Sequence, residues 1–481
     1  MQKATSLLNS VVVCRSSQDD EITANTLKLR RYSVAFEVYN PFTVLQFSEV
    51  LRNFRIRLGD RIVYQGEAVV AGIVNTGTVM VCEATLGDSW VDVDFLSDRG
   101  GREPLSDQLG GFLQDWKRVN EVDNAFKLTV ADMQNLLTGL QRWMEQIDLG
   151  IRGTSTADRP GLEREVIGQL EERFLEEVGS MMTGFEDMVW RRLPEGREAT
   201  HKYYVRRQVH PLVMCSPFCH RCFHKPLGYA GDYEMVNMMV REPFEGGSLF
   251  AKMLNHAMLR TGPVIAHRNR IEYLSGMLHA EAERNARQGR RTRVLNLGCG
   301  PAHEVQRFLR NAEASDLCEF TLLDFNEETV NHARRKLSQV RTQAGRVCPI
   351  NLHQRSVHQL LRQSVTGDVD LQWESYDVVY CAGLFDYLSQ RVCGRLTELL
   401  VRLMAPGGLL VITNVSPANP SRAWMEFVVE WNLIYRDRDA MADLAPRERG
   451  LLEMQVGEDP TGVNLFLEIR KCQSAHAGCR R

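Results

Sequence analysis

The stretch that decides the fold is Arg293-Val-Leu-Asn-Leu-Gly-Cys-Gly-Pro-Ala-His-Glu304. Apolar or small residues close a buried strand, Gly298 and Gly300 permit a tight turn with close backbone approach, and a helical pattern runs from Glu304 to Leu309. Strand, glycine turn and helix in that order cradle a nucleotide. A G-x-G pair alone also marks ordinary turns, so the second strand must carry the weight. The next apolar run, Phe320-Thr-Leu-Leu-Asp324, ends in a carboxylate 26 positions after Gly298, where a second parallel strand would carry it to ribose hydroxyls. A dinucleotide site would want a third glycine at position 303, where the helix start meets a pyrophosphate, but His303 stands there. That argues against NAD and FAD. S-adenosylmethionine has no pyrophosphate and tolerates a side chain at that point.

Three more short apolar runs, Ile350 to Val357, Tyr376 to Ala382 and Gly408 to Val415, are separated by helical or loop segments, as parallel strands buried on both faces require. Leu451 to Val456 and Asn464 to Arg470 lie close enough for a final hairpin. The predicted class is α/β, five parallel strands closed by an antiparallel pair. Through Leu297-Gly-Cys-Gly300, Leu323-Asp324, Tyr376-Asp-Val-Val-Tyr380 and Ala405-Pro-Gly-Gly-Leu409, roughly the last 190 residues resemble the class I S-adenosylmethionine-dependent methyltransferases, a seven-stranded Rossmann-like fold. The ordered set of four is more specific than any one member.

A chain of 481 residues has room for about three domains. A net charge of −3 and a pI near 6.5 leave no electrostatic footprint for nucleic acid. The 12 cysteines are scattered, with Cys82, Cys299 and Cys381 in predicted strands or the glycine turn, so a reducing cytoplasm is the expected setting. Val11-Val-Val-Cys14 follows Asn9 and Ser10 and precedes no cleavage site, and no span reaches the roughly 18 apolar residues of a membrane helix.

Residues 1–100 read as a small antiparallel β-barrel, with strands at Tyr32 to Tyr39, Phe42 to Phe47, Phe54 to Leu58, Arg61 to Tyr64, Ala68 to Val74 and Thr78 to Ala84. Turn signals stand at Asn40-Pro41, Gly59-Asp60 and Asn75-Thr-Gly77. With Arg30-Arg31 just before its first strand, this region resembles a PilZ domain, but the D-x-S-x-x-G ligand motif is absent. Docking or dimerisation is the competing use. Residues 101–200 turn helical, with stripes at Met133, Leu136, Leu137, Leu140, Trp143, Met144 and Ile147 and at Leu162, Val166, Leu170, Phe174, Val178, Met181, Phe185 and Met188, split by a link from Asp148 to Gly161. These stripes fit a helical-hairpin core, and equally the wall of an acyl groove. Residues 201–290 are expected to form a helical cap or lid, and 291–481 the methyltransferase domain.

Cys215, Cys219 and Cys222 repeat the C-x3-C-x2-C spacing of radical S-adenosylmethionine clusters, and His220 or His224 could complete a zinc site. A different cofactor fold begins some 70 residues later, so incidental cysteines are favoured and no metal is expected. Lys225-Pro-Leu-Gly-Tyr-Ala-Gly-Asp-Tyr-Glu234 makes poor helix but a good lid, offering Tyr229, Asp232 and Tyr233 to a ligand; a turn capping the next helix at Asp232 is the alternative. Together with Asn414-Val-Ser-Pro417 and a predicted helix from Trp424 to Tyr435, this segment resembles the bacterial fatty acid methyl ester synthases of the hydroxypalmitic acid methyl ester type, which make a cell-density signal.

The resemblance implies that a carboxylate oxygen of a hydroxylated fatty acid, or of a related acyl group, takes the sulfonium methyl in line. No strong base is needed, because an acid of pKa about 4 to 5 is already ionised at neutral pH. It implies a cofactor site at Asn296, Gly298, Cys299 and Gly300, with the two glycines at the methionine moiety, Asp324 on the ribose and Phe325 on the adenine. Ser356 and Val357 would meet the adenine edge, and Cys381, Ala382 and Gly383 would pass under the cofactor. Phe385 and Tyr387 would turn toward the acceptor, unless they only pack a helix, and Tyr229, Asp232, Tyr233 and Asn414 would complete the lid and acceptor contacts. Two rivals stay open: an N-methyltransferase in which Asp232 or Asp386 steers a proton, and a ligand-binding sensor without catalysis.

Overall fold

The computed structural model describes residues 10–17, 19–38, 45–58, 61–75, 80–87, 90, 122–193, 198–366, 371–446 and 452–472. Side chains of period two build the first unit: Val12, Cys14, Ile22, Ala24, Val34 and Phe36 all point into one core. Its strands β1 (Ser10–Arg15), β2 (Glu21–Arg30), β3 (Ser33–Val38), β4 (Val50–Leu58), β5 (Arg61–Asn75) and β6 (Met80–Leu86) form a closed barrel in the order β1-β2-β3-β6-β5-β4. Two strands therefore precede the expected first one, and Arg30-Arg31 falls at the β2 to β3 turn. The small or polar inward residues Ala24 and Thr26 blur the alternation of β2. Arg61 to Tyr64 and Ala68 to Val74 prove to be one strand whose register shifts between Val70 and Gly72. The turns expected at 40–41, 59–60 and 76–77, and residues 42–44 of an expected strand, lie outside the described residues.

Helices α1 (Asn124–Arg152) and α2 (Arg159–Arg192) bury Phe126, Met133 and Leu137 against Phe174 and Phe185. The link is shorter than expected, 153–158, because Pro160 suits the first turn of α2. Trp143, expected in the stripe, is 49% exposed. Helices α3 (Glu198–Val213), α4 (Pro217–His224), α5 (Tyr233–Val240), α6 (Leu249–Leu259) and α7 (Gly262–Ala286) come next. Instead of a helix to Tyr435, Trp424–Val428 is a single π-helical turn. Glu430 then takes a left-handed φ of 54° while its carboxylate accepts from Arg206 at 2.9 Å, which ends helical geometry there.

The C-terminal sheet has the strand order β12-β13-β11-β10-β7-β8-β9. Strands β7 (Thr292–Leu297), β8 (Cys318–Asp324), β9 (Ile350–Gln354), β10 (Tyr376–Cys381) and β11 (Met404–Val415) are parallel. The hairpin of β12 (Leu452–Glu458) and β13 (Asn464–Lys471) closes it, with β13 antiparallel to β11. Neighbouring residues serve opposite faces: Val294 packs with Phe320 under α8 (His303–Asn311) and α9 (Glu327–Gln343), Leu295 with Leu323 on the side of α10 (Val357–Thr366) and α11 (Gln390–Leu403).

One buried cation ties the loop after β10 to the chain after β11. The Arg436 guanidinium, 2% exposed, donates to the carbonyls of Phe385 (2.7 Å) and Leu388 (2.6 Å), to Asn414 Oδ1 (2.6 Å) and to Gln390 Oε1 (2.8 Å). Arg436→Met would strand these acceptors and is expected to cost about 3 to 5 kcal/mol of stability, read as a lowered urea midpoint. An unchanged midpoint would refute this bracing role.

Candidate functional site

The turn after β7 needs conformations that side chains avoid: Gly298 has φ 72° and Gly300 φ 51°. It is pinned to the neighbouring strand. The N–H groups of Gly298 and Cys299 donate to the Leu323 carbonyl at 2.8 and 3.0 Å, and the Gly300 N–H donates to Asp324 Oδ2 at 3.0 Å. Asp324 ends β8, and its other oxygen accepts the Asn326 N–H at 3.0 Å. Burial lifts this carboxyl to about 6, against the lowering effect of these backbone donors.

A cavity opens at this edge of the sheet. Of the expected cofactor residues, Asn296, Gly298, Cys299, Gly300, Asp324, Phe325, Val357, Ala382 and Gly383 line it. Ser356 and Cys381 do not. The Ser356 hydroxyl accepts the Gln359 N–H at the start of α10, and Cys381 faces the apolar core packed on α11. Of the expected acceptor residues, Tyr229, Tyr233 and Tyr387 line the cavity. Tyr229 packs its ring 4.8 Å from Phe325, and Tyr233 donates to Glu328 Oε1 at 2.6 Å, so both stand at the Asp324 end. Tyr387 stands at the other end, its hydroxyl accepting from Trp431 Nε1 at 2.9 Å.

Asp232, Phe385 and Asn414 lie outside the wall. Asp232 is 2% exposed, accepts Arg221 Nε at 2.8 Å and caps α5 through the Met235 N–H. Phe385 is buried in the sheet core, and Asn414 is consumed by Arg436 and the Ile434 carbonyl. The cysteine triplet lies outside as well. Cys219 and Cys222 are buried in α4, Cys215 is exposed and donates to the Leu212 carbonyl, and among the described residues no three metal-ligating side chains converge.

The expected set omits much of the wall. Arg270, on α7, is half-buried there and donates to His267 Nδ1 at 2.8 Å. Burial lowers its pKa, opposed by the charges of Asp386 and Glu304. Glu304 accepts from Asn296 Nδ2 at 3.2 Å and Tyr380 at 2.8 Å. With its nitrogen so engaged, Asn296 Oδ1 is buried without a partner among the described residues. Asn464 behaves alike: Nδ2 donates to the Ala266 carbonyl at 2.9 Å and Oδ1 is left unpaired. Gln46, Arg355, Asp386, Met425, Trp431 and Leu433 are among the other omissions. An arginine within the helical stretch His267-Arg-Asn-Arg270 carries no local sign of facing a ligand.

Two features fit a nucleoside amino acid: an orphan acceptor at Asn296, and a turn in which a Cβ on Gly300 would meet no atom within 4 Å. Residues 288–450 match the family model described as a methyltransferase domain. No curated protein matches the chain. Among solved structures, a possible exported protein from Bordetella parapertussis is similar at 15% identity, over 63% of this chain and 97% of that one, with a TM-score of 0.41. Magnesium protoporphyrin IX methyltransferase from Synechocystis PCC 6803 with bound SAH is similar at 11% identity over 43% and 84%, TM-score 0.30. The N-methyltransferase NodS from Bradyrhizobium japonicum WM9 is similar at 14% identity over 41% and 97%, TM-score 0.27. By the family match, residues 288–450 carry a methyltransferase domain.

Gly300→Ala should cost folding only about 1 to 2 kcal/mol for the left-handed backbone, yet put a methyl where ligand space is free. Calorimetry should show cofactor affinity reduced at least about tenfold; unaltered affinity would mean that the turn does not approach the ligand.

Proposed function

We propose that the protein transfers a methyl group to the carboxylate of a hydroxylated acyl chain, giving a methyl ester. S-adenosylmethionine supplies an electrophilic methyl on a sulfonium centre. The carrying observation is the apolar part of the cavity wall, which includes Met235, Val236, Met239, Met425, Trp431 and Leu433. Through Pro263, Met425 and Trp431 it abuts a second, mainly apolar cavity lined by Phe218, Met258, Val264 and Trp424. A chain-like apolar tail suits such a wall. The acceptor acid needs no deprotonation at neutral pH, so these residues serve to hold it and keep water away.

In this reading Asp324 takes the ribose hydroxyls on its remaining lone pairs, and Phe325 with Tyr229 flanks the adenine. Arg270 and the free Asn296 Oδ1 suit the carboxylate and ammonium of the methionyl end. Asn464 Oδ1, an acceptor lacking a donor, suits the hydroxyl of the acyl chain. An amine acceptor is the second reading, favoured by Asp386. This residue lines the cavity, accepts the Val415 N–H at 2.6 Å and has its pKa raised by burial, as a proton acceptor would need.

Calorimetry with S-adenosylmethionine and then mass spectrometry of lipid extracts decides between them. Cofactor binding with new methyl esters is the expected result, methylated amines would favour the second reading, and no binding would sink both. Asn464→Leu should shrink the preference for hydroxylated over unsubstituted acyl acids by at least about tenfold, measured as the ratio of kcat/KM values. An unchanged ratio would remove the hydroxyl contact.

The Asp324 pKa gives a further test. Because the folded value, about 6, exceeds the ordinary 3.8, ionising Asp324 costs the empty protein stability as pH rises across that window. Ribose hydroxyls donate to the ionised form, so cofactor affinity should run the other way, weakening about tenfold from pH 7 to pH 5. Asp324→Asn should abolish this dependence. A flat wild-type profile would refute the ribose role.

A further inference from the structure

The N-terminal barrel reaches the cavity through the loop between β3 and β4. Among the described residues Gln46 is its one contribution to the wall. Gln46 is 3% exposed, and its side-chain amide has no hydrogen-bond partner among the described residues.

The loop is held firmly enough for the amide to matter. The buried Glu49 carboxylate accepts the Gln46 N–H at 2.8 Å and both the N–H and hydroxyl of Ser17, at 2.7 and 2.8 Å. Ser48 takes a left-handed φ of 58°. Three contacts then fasten the loop to the cavity rim. The Phe47 N–H donates to the Tyr387 carbonyl (3.2 Å), the Ser48 hydroxyl donates to the Asn432 carbonyl (3.0 Å), and the Val50 N–H donates to the Gly228 carbonyl (2.7 Å). Tyr387 lines the cavity, and Trp431, which bonds its hydroxyl, lies between the loop's two anchors, Glu430 and Asn432. Gln46 is therefore fixed beside Tyr387 and Trp431.

We infer that Gln46 binds the methyl acceptor, its Nε2 donating to the acceptor's headgroup, so that the barrel forms part of the active site. A neutral amide orients an anionic nucleophile without pairing its charge, and so leaves it reactive. The inference rests on the methyl-transfer reading, and for the headgroup on the carboxylate reading.

The test uses the full chain with methyl-tritiated S-adenosylmethionine and two acceptors: 3-hydroxyhexadecanoate, and an unfractionated pool of bacterial small molecules. Gln46→Leu removes an unpaired amide and no structural bond, so its thermal midpoint should hold or rise and its cofactor affinity stay within about twofold of wild type. Labelling should fall at least about tenfold, chiefly through KM, the loss of one hydrogen bond to a charged group. Gln46→Glu should impair a carboxylate acceptor further and spare an amine. Label in the pool without hydroxyhexadecanoate ester would overturn the carboxylate reading while still testing Gln46 on the pool product. Equal labelling by wild type and Gln46→Leu would overturn the inference. So would a wild-type chain that binds cofactor and labels nothing.

Discussion

Three hydrogen bonds between adjacent parallel strands hold the site together. The Leu323 carbonyl takes the N–H groups of Gly298 and Cys299, and the Asp324 carboxylate takes that of Gly300. These bonds fix a turn whose backbone would otherwise be costly, with Gly298, Gly300 and even Ala302 at positive φ. They also explain the position of Asp324. The carboxylate that faces the cavity is the one that shapes the glycine turn beside it, so turn geometry and carboxylate orientation cannot vary separately. The helix α8 inherits its direction from Ala302, and with it the inward placing of Glu304.

Polar satisfaction divides the interior into scaffold and site. Arg436, Asp232 and Asn414 are buried and find partners. Asn296 Oδ1 and Asn464 Oδ1 are buried and find none among the described residues, and both residues line one cavity. Folding selects against orphaned polar atoms, so two that line the same cavity are a physical sign of a ligand there.

The parallel sheet was legible because its signal is local: each strand is a short apolar run, and glycine and aspartate punctuate the first two at the right separation. The same locality explains what was missed. Asp232 and Asn414 looked like ligand contacts because a polar side chain in a loop has two fates, and the partners that decide, Arg221 and Arg436, lie 11 and 22 residues away. Arg270 and Gln46 were silent for the converse reason. One sits in a helix of ordinary polar composition and the other within Phe42 to Phe47, which reads as a strand but is a loop at 45–47, and only tertiary packing brings them to the cavity. In the barrel, β2 was hidden by small inward residues, a weak alternation that closure of the barrel makes sufficient.

The two ends of the cavity differ in origin, and this bears on specificity. The Asp324 end is built mostly by β7, β8 and the turns at their C-terminal ends, elements the sheet itself requires. The Trp431 end is assembled from the π turn at Trp424, the extended segment after it and a barrel loop. None of these is needed to complete the sheet. Acceptor choice can therefore change through residues remote in sequence while the cofactor end stays fixed, and the Ser48 and Phe47 contacts show how closely the barrel is tied to that variable end.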